Sequence, residues 1–335
     1  MATYKEIKGT GIQFLDADPT NPLIGQVWYN TTTDSLKGTT AGVGTWSSGG
    51  SLPAVAQSGG GAGIQTAGMA FGGNLPGSPA ISNKSYSYNG TAWTATPNMN
   101  LARGQVRGTG TATAAIAVGG TDSPNNADTE EYNGSSWSES NNFSGGTAQL
   151  QVTGTQTAAL ATNGLPPGSG SATEAYTYNG TSWSDLGTNH NTFRYGAAMF
   201  GITTSGVLSG GQEPGSVSAK TETWNGSSWT EGTDLNTARA SVGNAAWGTQ
   251  ADGIFVAGKT QTAVVGSTEQ YNGTSWTEGG DLATARANPA GSAKSGTTTS
   301  GFLAGGVSNP SLTTYTAITE EWNVSNFETK TFTSS

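Results

Sequence analysis

Apolar residues in this chain come in short bursts. Each burst is cut off by Gly, Asn, Ser or Thr, and no stretch sustains apolar positions at i, i+3, i+4 and i+7. The pattern predicts short strands joined by tight turns. The bursts recur at a fixed interval, so the repeat decides the fold. The motif Tyr/Trp-Asn-Gly-x-x-Trp runs from Tyr88 to Trp93, Tyr132 to Trp137, Tyr178 to Trp183, Trp224 to Trp229 and Tyr271 to Trp276. A worn sixth copy runs from Trp322 to Phe327, and the first aromatics are 44, 46, 46, 47 and 51 residues apart. An apolar stretch ending in a glycine pair or its remnant precedes each copy, as at Phe71-Gly72-Gly73 and Ala304-Gly305-Gly306. Arg103, Arg194, Arg239 and Arg286 follow the closing Trp by 10 or 11 residues.

Each unit reads as four strands. In the fifth they are expected at residues 240–247, 253–258, 267–271 and 275–278. Asn-Gly predicts a two-residue type I′ turn between strands three and four. One such sheet cannot cover both of its faces, and stacking several radially does so while leaving only short edges. The expected fold is therefore all-β: a β-propeller of six four-stranded blades over residues 51–335, with seven as the alternative. Residues 1–50 are expected to form a small N-terminal β module with a strand at 24–30, a turn at 31–34 and a strand at 35–38. The Thr45-Trp46 segment echoes Ser275-Trp276 and so resembles the closing strand of a blade. It reads either as an incomplete seventh blade or as part of the separate N-terminal module, and the six complete four-stranded units expected after it favour the module.

In order and spacing, the glycine pair, the acidic-x-Tyr, the Trp and the Arg resemble the Kelch repeat over about residues 52–327. The third unit departs by lacking the Arg, the fifth ends Gly-Lys, and the sixth lacks the Asn-Gly turn. The segment from Gly25 to Gly38 resembles one found near the N-terminus of structural proteins of marine tailed bacteriophages. That resemblance implies a virion protein docked to other virion proteins through its N-terminal module, with the propeller facing outward.

Aligning the chain with itself exposes a covariation. Glu130, Glu222, Glu269 and Glu320 stand two residues before the motif aromatic in the four units that carry Arg103, Arg194, Arg239 and Arg286. The first and third units have Tyr86 and Tyr176 there and no Arg. The covariation predicts Glu–Arg pairs that fix blade register, with a ring of charges lining a channel as the alternative. Trp93, Trp137, Trp183, Trp229 and Trp276 read as blade core.

Composition narrows the chemistry. Fifty-two Gly and 10% charged residues would suit disorder, but ten Trp, ten Tyr and nine Phe at fixed spacing argue for buried area. A net charge of −9 disfavours nucleic acid and anionic membranes. No apolar run reaches 18 residues, so no membrane insertion is expected, and the N-terminus shows no signal-peptide core. With no Cys and one His, thiolate and multi-His metal sites are excluded. His190 is expected in a solvated loop. Ser87 to Trp93 is one residue shorter than the Asp-box of sialidases, and the repeat arginines do not read as a carboxylate-binding cluster. Asp122, Asp128, Asp234 and Asp281 sit in loops without forming a pair at a glycosidase separation. The Gly-rich segment 58–63 lacks the Lys-Ser/Thr of a phosphate loop.

These readings predict a non-enzymatic protein without cofactor or metal. The first expectation is a virion structural protein, such as a tail fibre, that displays loops for host attachment. The alternative is a free carbohydrate-binding propeller. Off-repeat aromatics Phe143, Phe193, Tyr195, Trp247 and Tyr315 are the candidate ligand residues, along with the loops at 74–83 and 121–128. A host-surface glycan and a second copy of the chain are the further partners expected.

Overall fold

The computed structural model describes residues 12–20, 26–40, 44–77, 80–122, 127–143, 148–162, 164–165, 173–292, 297–324 and 328–332. The chain divides into two units, one of residues 1–44 with 324–335 and the other of residues 45–323.

The first unit holds a four-stranded sheet. Gln13–Leu15 runs parallel to Val27–Asn30, which pairs antiparallel with Ser35–Thr40, which pairs with Glu328–Phe332 from the other end of the chain. The module expected at residues 1–50 is thus completed by a C-terminal strand, and its boundary falls at residue 44. Asp18, although exposed, ties two of these strands together. The Asp18 carboxylate accepts from the buried Trp28 indole at 3.0 Å and from Asn30 at 2.7 Å, and it meets Lys37 at 2.7 Å. Lys37, with Asn30 and Trp28, lowers the Asp18 pKa to about 2.

The second unit is a six-bladed β-propeller. Blade 1 is built from Gly60–Ile64, Ala67–Phe71, Ser85–Tyr88 and Trp93–Thr96, and blades 2 to 5 repeat that meander. Inner strands of blades 1 to 5 pack side by side in order, and that of blade 6 returns to that of blade 1. Blade 6 takes three strands from the end of the unit, Ala290–Gly291, Ser300–Ala304 and Thr319–Val324, and its outer strand, Gly44–Gly49, from the start. Trp46 is therefore a closing aromatic of the sixth blade. Phe327 lies outside the described residues.

Local chemistry explains the repeat. Tyr88 and Trp93 stand directly opposite in the ladder with rings 4.7 Å apart, and Tyr271 and Trp276 repeat this at 4.8 Å. The connecting loop has four residues, not two, and only its glycine has positive φ, 91° at Gly90. The expected type I′ turn is replaced because Asn89 Oδ1 accepts the N–H groups of Thr91 and Ala92 at 2.9 and 2.8 Å. Asn133, Asn179, Asn225 and Asn272 do the same. The glycine pair lets two chain segments meet. Gly73 N–H donates to the Arg103 carbonyl at 2.8 Å, and a Cβ on Gly72 would stand 2.7 Å from Val106. The same bond runs from Gly211 to Arg239, Gly258 to Arg286 and Gly306 to Ala56, so Ala56 holds the arginine position in blade 1. In blade 5 the first strand is Ala246–Thr249, later than the expected 240–247, because positive φ at Ser241 and Gly243 bends the approach.

Candidate ligand-binding face

Blade topology sends two sets of segments to one face: the loops between strands two and three, and the connections between blades. The Arg–Glu pairs brace this face from within. Arg103 and Glu130 are 2.9 Å apart, Arg194 and Glu222 3.1 Å, Arg239 and Glu269 2.9 Å, and Arg286 and Glu320 3.3 Å. All eight side chains are buried. Each arginine sits in the connection that enters a blade, and each glutamate on the third strand of that blade. Glu130 also accepts the N–H of Asn100 at 2.7 Å and of Leu101 at 3.3 Å, and the other three carboxylates hold the same two positions. Arg103 Nη2 points along its bond to Glu130. Arg239 meets Glu269 as an ion pair without an aligned hydrogen bond and lies 4.9 Å from the centroid of the Phe255 ring. Burial lowers the arginine pKa values, Arg286 to about 10, and raises that of Glu269. Nothing in this arrangement lines a channel with exposed charge: the pairs are braces.

Two expected ligand residues belong to the core instead. Phe143 is 2% exposed and packs 4.4 Å from Tyr176. Trp247 is fully buried, with Trp46 edge-on at 6.2 Å, because its strand faces the neighbouring blade across Gly301. His190, expected in solvent, is also 2% exposed and lies edge-on to Trp229. Burial, then the Arg194 charge, lowers its pKa to about 4. Phe143 and His190 share one cause. Leu52, Met99, Phe143, His190, Leu235 and Leu282 each donate a backbone N–H to the preceding blade, to the carbonyls of Ala317, Asn83, Ala127, Thr173, Ala219 and Gly266. Each is a buried plug between blades. The signal was present: every plug lies six or seven residues after its closing Trp.

Phe193, Tyr195 and Tyr315 are half-buried on the loop face. The Phe193 and Tyr195 rings lie 6.2 Å apart, and the Tyr315 hydroxyl accepts from Gln57 at 3.1 Å. Tyr195 lines a hollow of about 280 Å³ with Gln149, Gln212, Ser241, Lys259 and Leu312. Those residues come from blades 3, 4, 5 and 6, so the hollow lies toward the propeller axis. Leu312 reaches it from the loop of blade 6 with φ of 57°, a conformation that Asn309 supports by accepting the N–H groups of Thr313 and Thr314 at 2.8 Å. The loops at 74–83 and 121–128 lie on the same face, though residues 78–79 and 123–126 fall outside the described residues.

Below the hollow, Asn244 of blade 5 crosses the axis. Its Nδ2 donates to the carbonyls of Gly61 and Gly108, both at 3.0 Å. Arg107 of blade 2 is fully buried and donates to the Val106 carbonyl at 3.2 Å, and desolvation lowers its pKa to about 10. Repeat reasoning misses both residues because neither recurs. The clue to Asn244 is spacing: Arg239 precedes Gly248 by nine residues, whereas Arg103 precedes Gly110 by seven.

No family model matches this chain, and no curated protein matches it. Among solved structures, that of YjhT superposes with a TM-score of 0.65 over 84% of this chain and 99% of that one, at 14% identity. The likeness is one of fold, and the class it supports is the β-propeller.

Proposed function

We propose that this chain is a non-enzymatic, Kelch-like bacteriophage virion protein whose propeller presents its loop face to a host-surface glycan. The observation that carries the reading is the axial hollow. It sets a half-buried Tyr195 ring among the amides of Gln149 and Gln212, the Ser241 hydroxyl and the Lys259 ammonium. An aromatic platform beside fixed polar groups is the chemistry that binds a sugar ring, apolar on one face and hydroxylated at its edge.

The attachment half of the proposal rests on the first unit. Its sheet joins both ends of the described chain and leaves Phe14 71% and Phe332 39% exposed, apolar surface suited to other virion proteins or to further copies of this chain.

A glycan array probed with the purified chain tests the recognition half. Binding to a defined glycan class, lost in Tyr195→Ala with an unchanged melting temperature, is expected. Equal binding by that variant overturns the assignment of the hollow. Mass spectrometry of purified particles tests the virion half. A stoichiometric place in the particle is expected, and finding the protein only free in the medium replaces this reading with a free lectin-like propeller.

A further inference from the structure

Blade 1 departs from its neighbours at the brace. In blades 2, 4, 5 and 6 the space between the incoming connection and the third strand is filled by an Arg and a Glu, both buried. Blade 3 lacks the Glu, but there the large plug Phe143 packs against Tyr176 at 4.4 Å. Blade 1 has Ala56 for the Arg and Tyr86 for the Glu, and its plug is the smaller Leu52. Neither compensation is made, and a cavity of about 250 Å³ stands in that place.

The chemistry of the cavity is unlike that of the axial hollow. Its walls are Leu52, Ala56, Ala70, Phe71 and Tyr86, closed on the blade 6 side by Ala290 and Ala304. An engineered apolar cavity of roughly 150 Å³ takes benzene, so this one has room for a larger body. The polar residues of the lining are Ser82, Lys84 and Tyr86, of which Ser82 is buried, Tyr86 half-buried and Lys84 exposed. Lys84 is one of only 13 basic residues in a chain of net charge −9.

We propose that this cavity between blades 6 and 1 binds a small amphipathic carboxylate, with a fused-ring or branched apolar body inside and the anion on Lys84. The walls offer a sugar too few hydrogen-bond partners and offer a ring system continuous apolar contact. The site is separate from the axial hollow and stands whether or not that hollow binds a glycan.

The test uses the full chain with methyl-labelled Ala and Leu, titrated with 2-naphthoate and, as the uncharged comparator, methyl 2-naphthoate. Naphthoate is expected to shift the methyl signals of Leu52, Ala56, Ala70 and Ala304 saturably. Lys84→Ala should weaken naphthoate by about tenfold, the loss of one charge contact, and leave the ester unchanged. The double substitution Ala56→Arg with Tyr86→Glu reinstates the brace of the other blades and should abolish binding of both probes. Absence of saturable shifts at those methyls overturns the proposal, as does equal naphthoate affinity in Lys84→Ala. Binding retained by a folded double variant does the same. If the double variant does not fold, Lys84→Ala still decides, because Lys84 is exposed and braces nothing. Tyr195→Ala should leave naphthoate binding unchanged, which keeps this test distinct from that of the glycan site.

Discussion

The indole Nε1 of Trp46 donates to the hydroxyl of Thr268 at 2.9 Å, joining residues 222 apart in sequence. The bond is one step of a ring. Trp93 donates to Thr319 at 2.9 Å, Trp183 to Thr129 at 2.9 Å, and Trp276 to Thr221 at 3.1 Å. In each case the closing Trp of one blade binds the third strand of the blade before it. Trp46 gives blade 6 its member of the ring, although it precedes blade 1 in the chain.

Trp46→Ala should therefore loosen the seam of the propeller. The side chain is half-buried and packs 5.4 Å from Trp322, so a loss of about 3 kcal/mol is expected in urea unfolding. A cost below about 1 kcal/mol would show that blade 6 does not depend on its N-terminal strand. A chain starting at Leu52, which lacks that strand, should show at least the same loss.

Two blades leave the ring bond unmade. Trp229 faces the third strand of blade 3, where Ala175 replaces the hydroxyl residue, and its Nε1 has no partner among the described residues. Ala175→Thr should add about 1 kcal/mol by supplying one. In the opposite direction, Thr268→Val should cost about as much by orphaning Trp46. Chemical denaturation of the two variants side by side checks the sign of each effect. The same sign for both would separate the ring bond from stability.

Removing one member of a brace leaves a charge buried alone. Glu269→Ala should cost roughly 3–5 kcal/mol, because Arg239 then has no carboxylate in a fully buried site. Replacing Arg239 and Glu269 together by Met should recover most of that loss. A single-variant cost below about 0.5 kcal/mol in equilibrium unfolding would remove the brace from the account of blade register.

His190 should make the protein acid-sensitive. Its folded pKa is lowered to about 4 from an ordinary 6.5, so the folded state resists a proton that the unfolded chain accepts. The neutral imidazole's advantage is complete above pH 6.5 and is lost as the pH falls from 6.5 toward 4, a change of about 3 kcal/mol. His190→Leu, the residue found at plugs 235 and 282, should flatten that part of the stability profile. Melting temperatures of both proteins between pH 7 and 4 measure it, and parallel curves would show that His190 is protonated at no cost.

Much of the architecture is legible in the residues because it repeats. Asn-Gly turns, glycine pairs and the covarying Glu and Arg each mark a contact made several times, and recurrence separates them from chance. The plugs also recur, but as Leu, Met, Phe and His they share burial rather than chemistry, so Phe143 reads as a ligand residue and His190 as a solvated one. Trp247 misleads in another way: large aromatics at one position of an inner strand look exceptional until the facing Gly301 shows the space left for the ring.

The sequence by itself determined the blade: its four-stranded meander, the hairpin and the brace. It could do so because those contacts lie within one unit or between adjacent ones. Tertiary structure alone decided which blade Gly44–Gly49 completes, and that Glu328–Phe332 joins the sheet of the first unit, since each pairs with strands from the opposite end of the chain. It also decided the crossing of Asn244, the burial of His190 and the cavity beside Ala56. Each depends on what a distant segment brings to the same place, and sequence spacing carries no measure of the space left when a neighbour is small.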